Sequence, residues 1–299
     1  MASTTPVPQE QQGGRQPPDL TAADFQGFKK LFLELIGIHL PDTKRQLVFS
    51  RLARRLPPLG LDSFQDYLKL LRTGKDQAEI QRAVNLITTN ETWFFREPEH
   101  FRLLVAEMLP SARSEPVRVW CGAASSGEEP YSLAMVLHQT IGPSGWSLVA
   151  TDINDEVLAV AKAGLYPMER AQSIPEPLLK QFCLRGTGEH EGFMLIQEGL
   201  RRCIRFRRMN LLAIDRDLVD LDIVFLRNVL IYFDAPERQR ILCEVVRRLR
   251  VGGILVLGHS ESVVGLQLPP LQVVRPSVYR RTHASANLRP GSSRCPSRS

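Results

Sequence analysis

Apolar residues between positions 19 and 88 recur every three or four residues, in four separate runs. That spacing places them on one face of an α-helix. The first run follows Thr21 and Asp24, which form a capping-box pattern with Asp in place of the usual Glu, and Gly37 can end it. Further helices are predicted at 43–56, 63–71 and 76–87. The pattern therefore predicts a small N-terminal all-helical domain over 19–88, large enough to bury one core.

Beyond residue 99, short continuous apolar runs alternate with longer helical patterns. Such runs, bounded by turn residues, are typical of buried strands. Strands are predicted at 117–120, 146–152, 222–228 and 252–258, with a last edge strand at 278–281. The alternation predicts an α/β domain over 99–282 with a doubly wound, mostly parallel sheet. Runs at 193–197 and 203–207 predict a small antiparallel β insert at about 185–208.

The first of these strands leads into a tight turn that Gly122 and Gly127 bracket, and Glu128 and Glu129 open the helix that follows. The turn lacks the three glycines of a dinucleotide-binding loop and the Gly-Lys-Ser/Thr of a P-loop. Its two carboxylates would also repel phosphate from the helix N-terminus. A ligand with positive charge or hydroxyl groups fits this turn better; the alternative is an ordinary strand-to-helix turn.

Polar side chains follow other predicted strands. Asp152 comes about 25 residues after the glycine turn, near the position where nucleotide-type folds hold a ribose diol. Alternatively it caps the helix at 155–163, although Asn154 or Asp155 is better placed to do so. Asn210 and Asn228 also follow strands. With Glu129, these residues predict a ligand crevice at the carboxyl edge of the sheet.

A connector at 89–98 joins the helical and α/β parts, and it mixes polar residues with three aromatic residues at 93–95. One interpretation is a linker that packs its aromatic residues into both cores. That interpretation explains Asn90, Thr92 and Arg96 less well. Because ligands often bind where domains meet, we expect these three side chains to face a ligand.

The composition is that of a globular protein, with 43% hydrophobic and 23% charged residues. The formal charge of +6 permits an acidic partner without requiring nucleic acid. Five cations fall within 43–56, and they form either a solvated basic face or a docking face for an acidic partner. They are Lys44, Arg45, Arg51, Arg54 and Arg55.

The five cysteines include no CxxC pair, so no metal site is predicted, and their dispersed positions suit a reducing cytoplasm. No apolar run approaches 18 residues, which predicts no membrane insertion. The tails at 1–18 and 283–299 are predicted to be disordered.

The predicted crevice offers acids and amides rather than a phosphate cradle, and S-adenosylmethionine meets that requirement. It carries a ribose, an adenine, a cationic sulfonium and an amino-acid end. The chain also resembles the CheR family, the chemotaxis receptor glutamate methyltransferases, from about residue 19 to residue 281. The resemblance rests on ordered motifs at 88–97, 122–132, 150–153, 185–192, 210–212, 227–234 and 258–261.

The resemblance implies an S-adenosylmethionine-dependent methyltransferase domain and assigns roles to ten residues. Cofactor contacts would come from Asn90, Thr92, Arg96, Glu129, Asp152, Asn210, Leu211, Arg227 and Asn228. Within this set, Glu129 would meet the amino-acid end and Asp152 the ribose, while Asn210 and Leu211 would flank the adenine. Arg96 and Tyr232 would lie near the transferred methyl group as the catalytic pair. A glutamate substrate is ionised near neutral pH, so neither a general base nor a metal is needed.

The resemblance also implies the partners. The helical domain of a monomeric, cytoplasmic enzyme would face the acidic methylation helices of a chemotaxis receptor. In some members the β insert docks a tethering peptide from the receptor C-terminus. Two alternatives stay open: a nucleic-acid methyltransferase of the same fold, favoured by the basic stretches at 43–56 and 201–208, and a non-catalytic scaffold that binds the cofactor.

Overall fold

The computed structural model describes residues 18–109 and 115–283. Its N-terminal helices are α1 (Ala22–Ile36), α2 (Arg45–Leu52), α3 (Phe64–Arg72) and α4 (Gln77–Ile87). The predicted capping box at Thr21 and Asp24 is present, and Gly37 ends α1 in the left-handed conformation. Ser63 and Asp76 cap α3 and α4. Aromatic and aliphatic side chains fill one core between these helices, so the prediction of an all-helical N-terminal part is confirmed.

The second predicted helix, at 43–56, is shorter than expected. The α-helical part is α2, and short 3-10 turns stand before it at Asp42–Lys44 and after it at Ala53–Arg55. Pro57 and Pro58 have no backbone N–H to donate to the carbonyls four residues earlier. The last turn therefore tightens, and Leu56 N donates to Ala53 O at 3.2 Å.

The basic residues of this segment are mostly occupied within the chain. Arg51 donates to the carbonyls at the end of α4, including Thr88 O at 2.8 Å. Arg55 binds the fully buried carboxylate of Glu79 through two hydrogen bonds, at 2.9 and 2.7 Å. Arg45 bonds to the Leu20 carbonyl. These three arginines therefore hold the helical core together and do not form an open basic face.

The remaining helices are α5 (Glu99–Leu103), which continues as a π-helical turn at Leu104–Met108, α6 (Glu128–Ile141), α7 (Asp155–Ala163), α8 (Glu176–Phe182), α9 (Glu198–Arg202) and α10 (Ala235–Arg248). The strands are β1 (Val117–Gly122), β2 (Trp146–Asp152), β3 (Leu165–Pro167), β4 (Cys183–Arg185), β5 (Phe193–Ile196), β6 (Ile204–Arg208), β7 (Leu221–Leu226), β8 (Leu249–Leu257), β9 (Leu271–Arg275) and β10 (Val278–Arg281).

A seven-stranded sheet runs in the order β6-β2-β1-β7-β8-β10-β9. Strands β6 to β8 in this order are parallel, and β10 pairs antiparallel with β8 and β9. Two hydrophobic cores cover its two faces, which explains why the central strands are continuously apolar. The predicted doubly wound α/β fold is confirmed. The order reverses between β1 and β7, and that reversal marks the usual ligand crevice at the carboxyl ends.

The prediction for the strand at 203–207 was wrong in its partner. This segment is β6, and it pairs in parallel with β2 at the edge of the main sheet, with Leu148 opposite Ile204. The small sheet is antiparallel, as predicted, but it is formed by other strands, in the order β3-β5-β4. An alternating pattern arises on any strand with one exposed face, so it does not identify the neighbouring strand.

The strand at 278–281 is present as β10, but it is not at the edge. Strand β9 lies outside it and was not predicted. The side chains of β9 are mostly exposed, and Val273 is 65% accessible. A half-solvated edge strand carries little of the hydrophobic periodicity that marks a buried one.

The helical part packs directly on the carboxyl edge of the main sheet. Gln81 Nε2 donates to Ile153 O at 2.8 Å, and Asn85 Nδ2 donates to Asp155 Oδ1 at 2.6 Å. Asn154 Nδ2 donates to Thr88 Oγ1 at 2.8 Å. These bonds hold the segment after α4 across the crevice. Within the described ranges, every helix is too short or too polar to cross a bilayer.

Candidate active site

A cavity lies where the end of α1, the connector and the carboxyl ends of β1, β2 and β7 meet. It contains about 880 Å³ of space, including its opening to solvent. All ten residues singled out from the sequence line this cavity: Asn90, Thr92, Arg96, Glu129, Asp152, Asn210, Leu211, Arg227, Asn228 and Tyr232. The structure thus brings the ten together, although their individual roles remain predictions.

Two residues of the glycine turn, Ala123 and Ser125, line the cavity. A Cβ on Gly122 would lie 2.9 Å from Leu226 Cδ1, and one on Gly127 would lie 2.8 Å from Ala161 Cβ. Gly127 also has a φ of 99°, which other residues rarely adopt. Ala123 and Ser125 have positive φ as well, at 56° and 50°. The tight turn exposes small residues and backbone to the cavity, so a ligand can approach closely.

Asp152 is buried at the edge of the cavity, with 7% of its surface exposed. Its Oδ2 accepts from Ser125 N at 2.8 Å, and its Oδ1 accepts from Asn154 N at 2.9 Å. Burial raises the pKa of this carboxyl, and the backbone amides act in the opposite direction. Asn154, one of the two residues that the sequence favoured, caps α7. Asp152 is therefore oriented by backbone and keeps lone pairs that can accept from hydroxyl groups of a ligand.

Glu129 and Arg227 form a buried ion pair on the cavity wall. Arg227 Nη1 donates to Glu129 Oε2 at 2.9 Å, and Arg227 Nη2 lies 3.1 Å from Glu97 Oε2. The Arg227 side chain is 0% exposed, and its Nη2 also donates to Arg96 O at 2.6 Å. Burial raises the pKa of Glu129, which the charge of Arg227 opposes. One guanidinium thus fixes two carboxylates and the connector backbone.

Glu97 was not predicted from the sequence, and neither was Glu261. The carboxylate of Glu261 accepts from four backbone amides, those of Asn228, Val229, Leu230 and Gly258, at 2.7–2.9 Å. It holds the turn after β7, in which Asn228 has a φ of 57°. A lone acid three residues after a glycine gives no signal of this kind in a sequence, because three of its four amide partners lie on another loop.

Arg96 and Tyr232 line the cavity and are both partly exposed, so we place them at its opening. The Arg96 guanidinium stacks 4.4 Å from the centre of the Trp93 ring, and its Nη1 donates to Glu91 O at 3.2 Å. Trp93 is itself 46% exposed. Burial raises the pKa of Tyr232, so its hydroxyl stays protonated at neutral pH. The opening therefore presents a cation, a hydroxyl donor and an exposed aromatic ring.

Asn210 has a structural role that the sequence did not indicate. Its Nδ2 donates to Leu35 O in α1 at 3.0 Å, and its Oδ1 accepts from Leu212 N at 3.0 Å. The residue joins α1 to the loop after β6. Asn90 is likewise held by its backbone, since its carbonyl accepts from Ser125 Oγ at 2.9 Å. Both residues fix the shape of the cavity wall.

Comparison with known proteins follows the same division of the chain. The family model for the CheR methyltransferase all-alpha domain matches residues 23–88. The model for the CheR methyltransferase SAM binding domain matches residues 90–274. The cavity lies where these two matches meet.

Curated relatives match over most of their length. Chemotaxis protein methyltransferase 2 of Pseudomonas aeruginosa is 43% identical over 268 residues, which cover 88% of this chain and 94% of the relative. The chemotaxis protein methyltransferase of Escherichia coli is 42% identical over 251 residues, covering 83% and 87%. That of Salmonella typhimurium is 40% identical over 250 residues, covering 83% and 86%.

Proposed function

Because the chain belongs to the CheR family of methyltransferases, we propose that it transfers the methyl group of S-adenosylmethionine to glutamate side chains of chemotaxis receptors. The products are glutamate methyl esters and S-adenosylhomocysteine. The substrate glutamates lie in the cytoplasmic part of the receptor, so the enzyme acts in the cytoplasm, and it acts as a monomer. The single observation that carries this proposal is the cavity at the junction of two parts that both match the family.

The charges of the cavity suit a phosphate-free nucleoside with a cationic sulfonium. Asp152 accepts hydrogen bonds from the ribose hydroxyls, in an orientation that backbone amides already fix. Glu129, paired with Arg227, meets the amino-acid end. Leu211 and Asn210 flank the adenine, while Asn90, Thr92 and Asn228 complete the walls. The buried carboxylates disfavour a pyrophosphate, which would repel them.

The reaction is one in-line displacement. A carboxylate oxygen of the receptor glutamate attacks the methyl carbon, the C–S bond breaks, and its electron pair stays on sulfur. The sulfonium loses its positive charge and the carboxylate its negative charge, so no proton moves. A glutamate with an ordinary pKa is already ionised at pH 7. Catalysis therefore comes mainly from positioning the two reactants.

Arg96 and Tyr232 are the residues placed to do that positioning. Stacking on Trp93 holds the Arg96 guanidinium at the opening, where it orients the incoming carboxylate. A tight ion pair with Arg96 would lower the nucleophilicity of the substrate carboxylate. Arg96 therefore acts through geometry more than through charge. Tyr232, which also lines the cavity, presents its hydroxyl as a hydrogen-bond donor near the transferred methyl group.

The receptor is held by two further surfaces in this proposal. The helical part faces the acidic methylation helices. The small sheet offers β4 as a free edge, and Leu184 on that strand is 51% exposed. An extended receptor C-terminus can add there as another strand, with backbone hydrogen bonds and a side-chain pocket for specificity.

The structure weakens the argument for a nucleic-acid substrate that the basic stretch at 201–208 gave. Four of the five arginines between 201 and 208 are occupied within the chain. Arg201 donates to Ala163 O, Arg202 pairs with Glu198, Arg207 pairs with Asp217, and Arg208 donates to Gln81. Few cationic side chains of this stretch therefore remain to bind the phosphate backbone of a nucleic acid.

The test is a methyl-transfer assay with the full chain and S-adenosylmethionine labelled in the methyl group. Cytoplasmic receptor fragments are supplied with and without their C-terminal ends. We expect label on the receptor that mild alkali releases as methanol, which identifies a carboxyl ester. Alkali-stable label, or label on added nucleic acid alone, would overturn the proposal. Loss of labelling with truncated receptors would support the tethering step.

A further inference from the structure

Behind the cofactor cavity, Glu97, His100 and His259 place three potential metal-ligand atoms within 4.8 Å of one another. Glu97 lies just before α5, and His100 lies in the first turn of that helix, three residues later. His259 follows β8. The function proposed above makes no use of either imidazole. The three side chains nevertheless converge from two separate parts of the fold, the beginning of α5 and the segment after β8.

Two of the separations in this cluster are close to those of a tetrahedral zinc site, and all three ligand atoms lie within 4.8 Å of one another. His100 Nδ1 lies 3.4 Å from Glu97 Oε2, and His259 Nε2 lies 3.8 Å from the same oxygen. With metal–ligand bonds of about 2.0–2.2 Å, neighbouring ligand atoms of a tetrahedral ion stand roughly 3.3 Å apart. Only small side-chain adjustments would bring all three atoms onto one ion.

His100 supplies an independent reason to expect a ligand. It is 1% exposed, and neither of its ring nitrogens makes a hydrogen bond with the described residues. A buried polar group without a partner is costly, and such groups point to an unassigned ion or water. His259 is 57% exposed on its side chain, so an ion has a path in from solvent.

We propose that Glu97, His100 and His259 form a binding site for Zn²⁺ or a similar transition-metal ion. Two imidazoles and one carboxylate suit zinc better than magnesium or calcium, which prefer oxygen ligands. A water molecule would complete the tetrahedron. The His259 backbone amide donates to Glu97 Oε2 at 3.2 Å, and Asn228 Nδ2 donates to Oε1 at 3.3 Å, so the carboxylate is already oriented.

The position of Arg227 couples this site to the cavity. Arg227 Nη2 lies 3.1 Å from the oxygen of Glu97 that a metal would use. A dication there repels the guanidinium and competes with it for Glu97. Arg227 also holds Glu129, which lines the cavity. Bound metal would therefore disturb the wall and weaken cofactor binding, and by reciprocity the cofactor would weaken metal binding.

The binding experiment uses the full chain, freed of metal by a chelator and titrated with ZnCl₂ in a calorimeter. We expect one equivalent to bind, and His259→Gln to weaken it more than about tenfold. His190→Gln, at an exposed loop position, is the matched control and should leave zinc binding unchanged. Mg²⁺ should produce no comparable heat. Equal zinc affinity in the wild type and His259→Gln, or no specific binding in either, would overturn the site.

Cobalt spectroscopy distinguishes this site from adventitious binding at cysteines. Co²⁺ in the wild type should give the intense visible bands of tetrahedral nitrogen and oxygen coordination, without sulfur-to-cobalt charge transfer. His259→Gln should lose those bands. Charge-transfer bands that persist in His259→Gln would place the metal on thiols and contradict the assignment.

The coupling to the cofactor rests on the proposed function, and a separate titration measures it. Zn²⁺ should raise the dissociation constant of S-adenosylhomocysteine by about fivefold or more in the wild type. It should have no effect in His259→Gln, whose metal-free affinity should match the wild type. An S-adenosylhomocysteine affinity that zinc leaves unchanged in the wild type would overturn the coupling. Failure of S-adenosylhomocysteine to bind at all would count against the proposed function, while the zinc titration would still stand.

Discussion

The two sides of the cavity are held in different ways. On the inner wall, Asp152, Glu129 and Arg227 are buried or nearly so and bind to backbone amides or to one another. At the opening, Arg96 and Tyr232 are partly exposed, and Arg96 rests on the half-exposed ring of Trp93. The inner wall is built before any ligand arrives. The opening stays accessible, as a protein substrate requires.

This difference separates binding from chemistry. Buried carboxylates that are already oriented bind a small cationic ligand with little reorganisation. A receptor side chain must enter from outside, so the groups that meet it cannot be enclosed. Substitutions on the inner wall should therefore affect stability and cofactor affinity. Substitutions at the opening should affect the rate of transfer while the cofactor still binds.

The largest effect is expected on the inner wall, for Arg227→Met. This change leaves the carboxylates of Glu97 and Glu129 without their shared cation. Breaking a buried pair by removing one partner typically costs about 3–5 kcal/mol of stability. Urea unfolding should show that loss, and Arg205→Met, at an exposed position on β6, should stay within about 0.5 kcal/mol of the wild type. A loss below about 1 kcal/mol for Arg227→Met would mean that ion pairing does not build this wall.

Asp152→Ala should weaken cofactor binding by about 10–100-fold, because two backbone amides lose their acceptor and, in the proposed function, the ribose hydroxyls lose it too. Calorimetry with S-adenosylhomocysteine measures the change. Glu156→Ala, at an exposed position on α7, serves as the control. An unchanged dissociation constant for Asp152→Ala would refute the ribose assignment.

The elements of the inner wall show how far the sequence could lead. Local rules predicted the cap at Thr21, narrowed the cap of α7 to Asn154 or Asp155, and predicted the strand that ends at Asp152, because each depends on neighbours within a few residues. Those rules, with the family resemblance, also named ten of the residues that line the cavity. Their shared location follows from one topological fact, that parallel strands end at the same edge.

What the sequence could not predict depends on distant partners. Glu261 accepts from three backbone amides after β7 and from the amide of Gly258, and Glu97 forms an ion pair with Arg227. Neither acid has a distinctive local sequence pattern. The alternation of apolar and charged residues at 203–207 correctly predicted a strand, but it did not identify β2 as the neighbouring strand. The cations of the helical part looked alike in sequence, although only their tertiary contacts decide which are exposed.

At the opening, Tyr232→Phe should lower the maximal transfer rate by about tenfold, the equivalent of one hydrogen bond made in the transition state. The dissociation constant of S-adenosylhomocysteine should stay within about twofold of the wild type. Single-turnover transfer to a receptor fragment separates the two quantities. A parallel loss of cofactor affinity would place Tyr232 on the inner wall and erase the contrast between the two sides.

The smallest effect is expected farther from the cavity, for Arg54→Glu. Arg51 and Arg55 cannot test receptor docking, because they hold α4 and the buried Glu79, and their reversal would unfold the helical part. Arg54 is exposed, and so is Lys44; neither side chain makes a hydrogen bond or ion pair with the described residues. If acidic receptor helices dock here, Arg54→Glu should lower kcat/KM for the receptor about two- to threefold at low salt. The loss should shrink as salt screens the charges. Unchanged methylation at low salt, with unfolding like that of the wild type, would mean that these cations are simply solvated and that the receptor is held elsewhere.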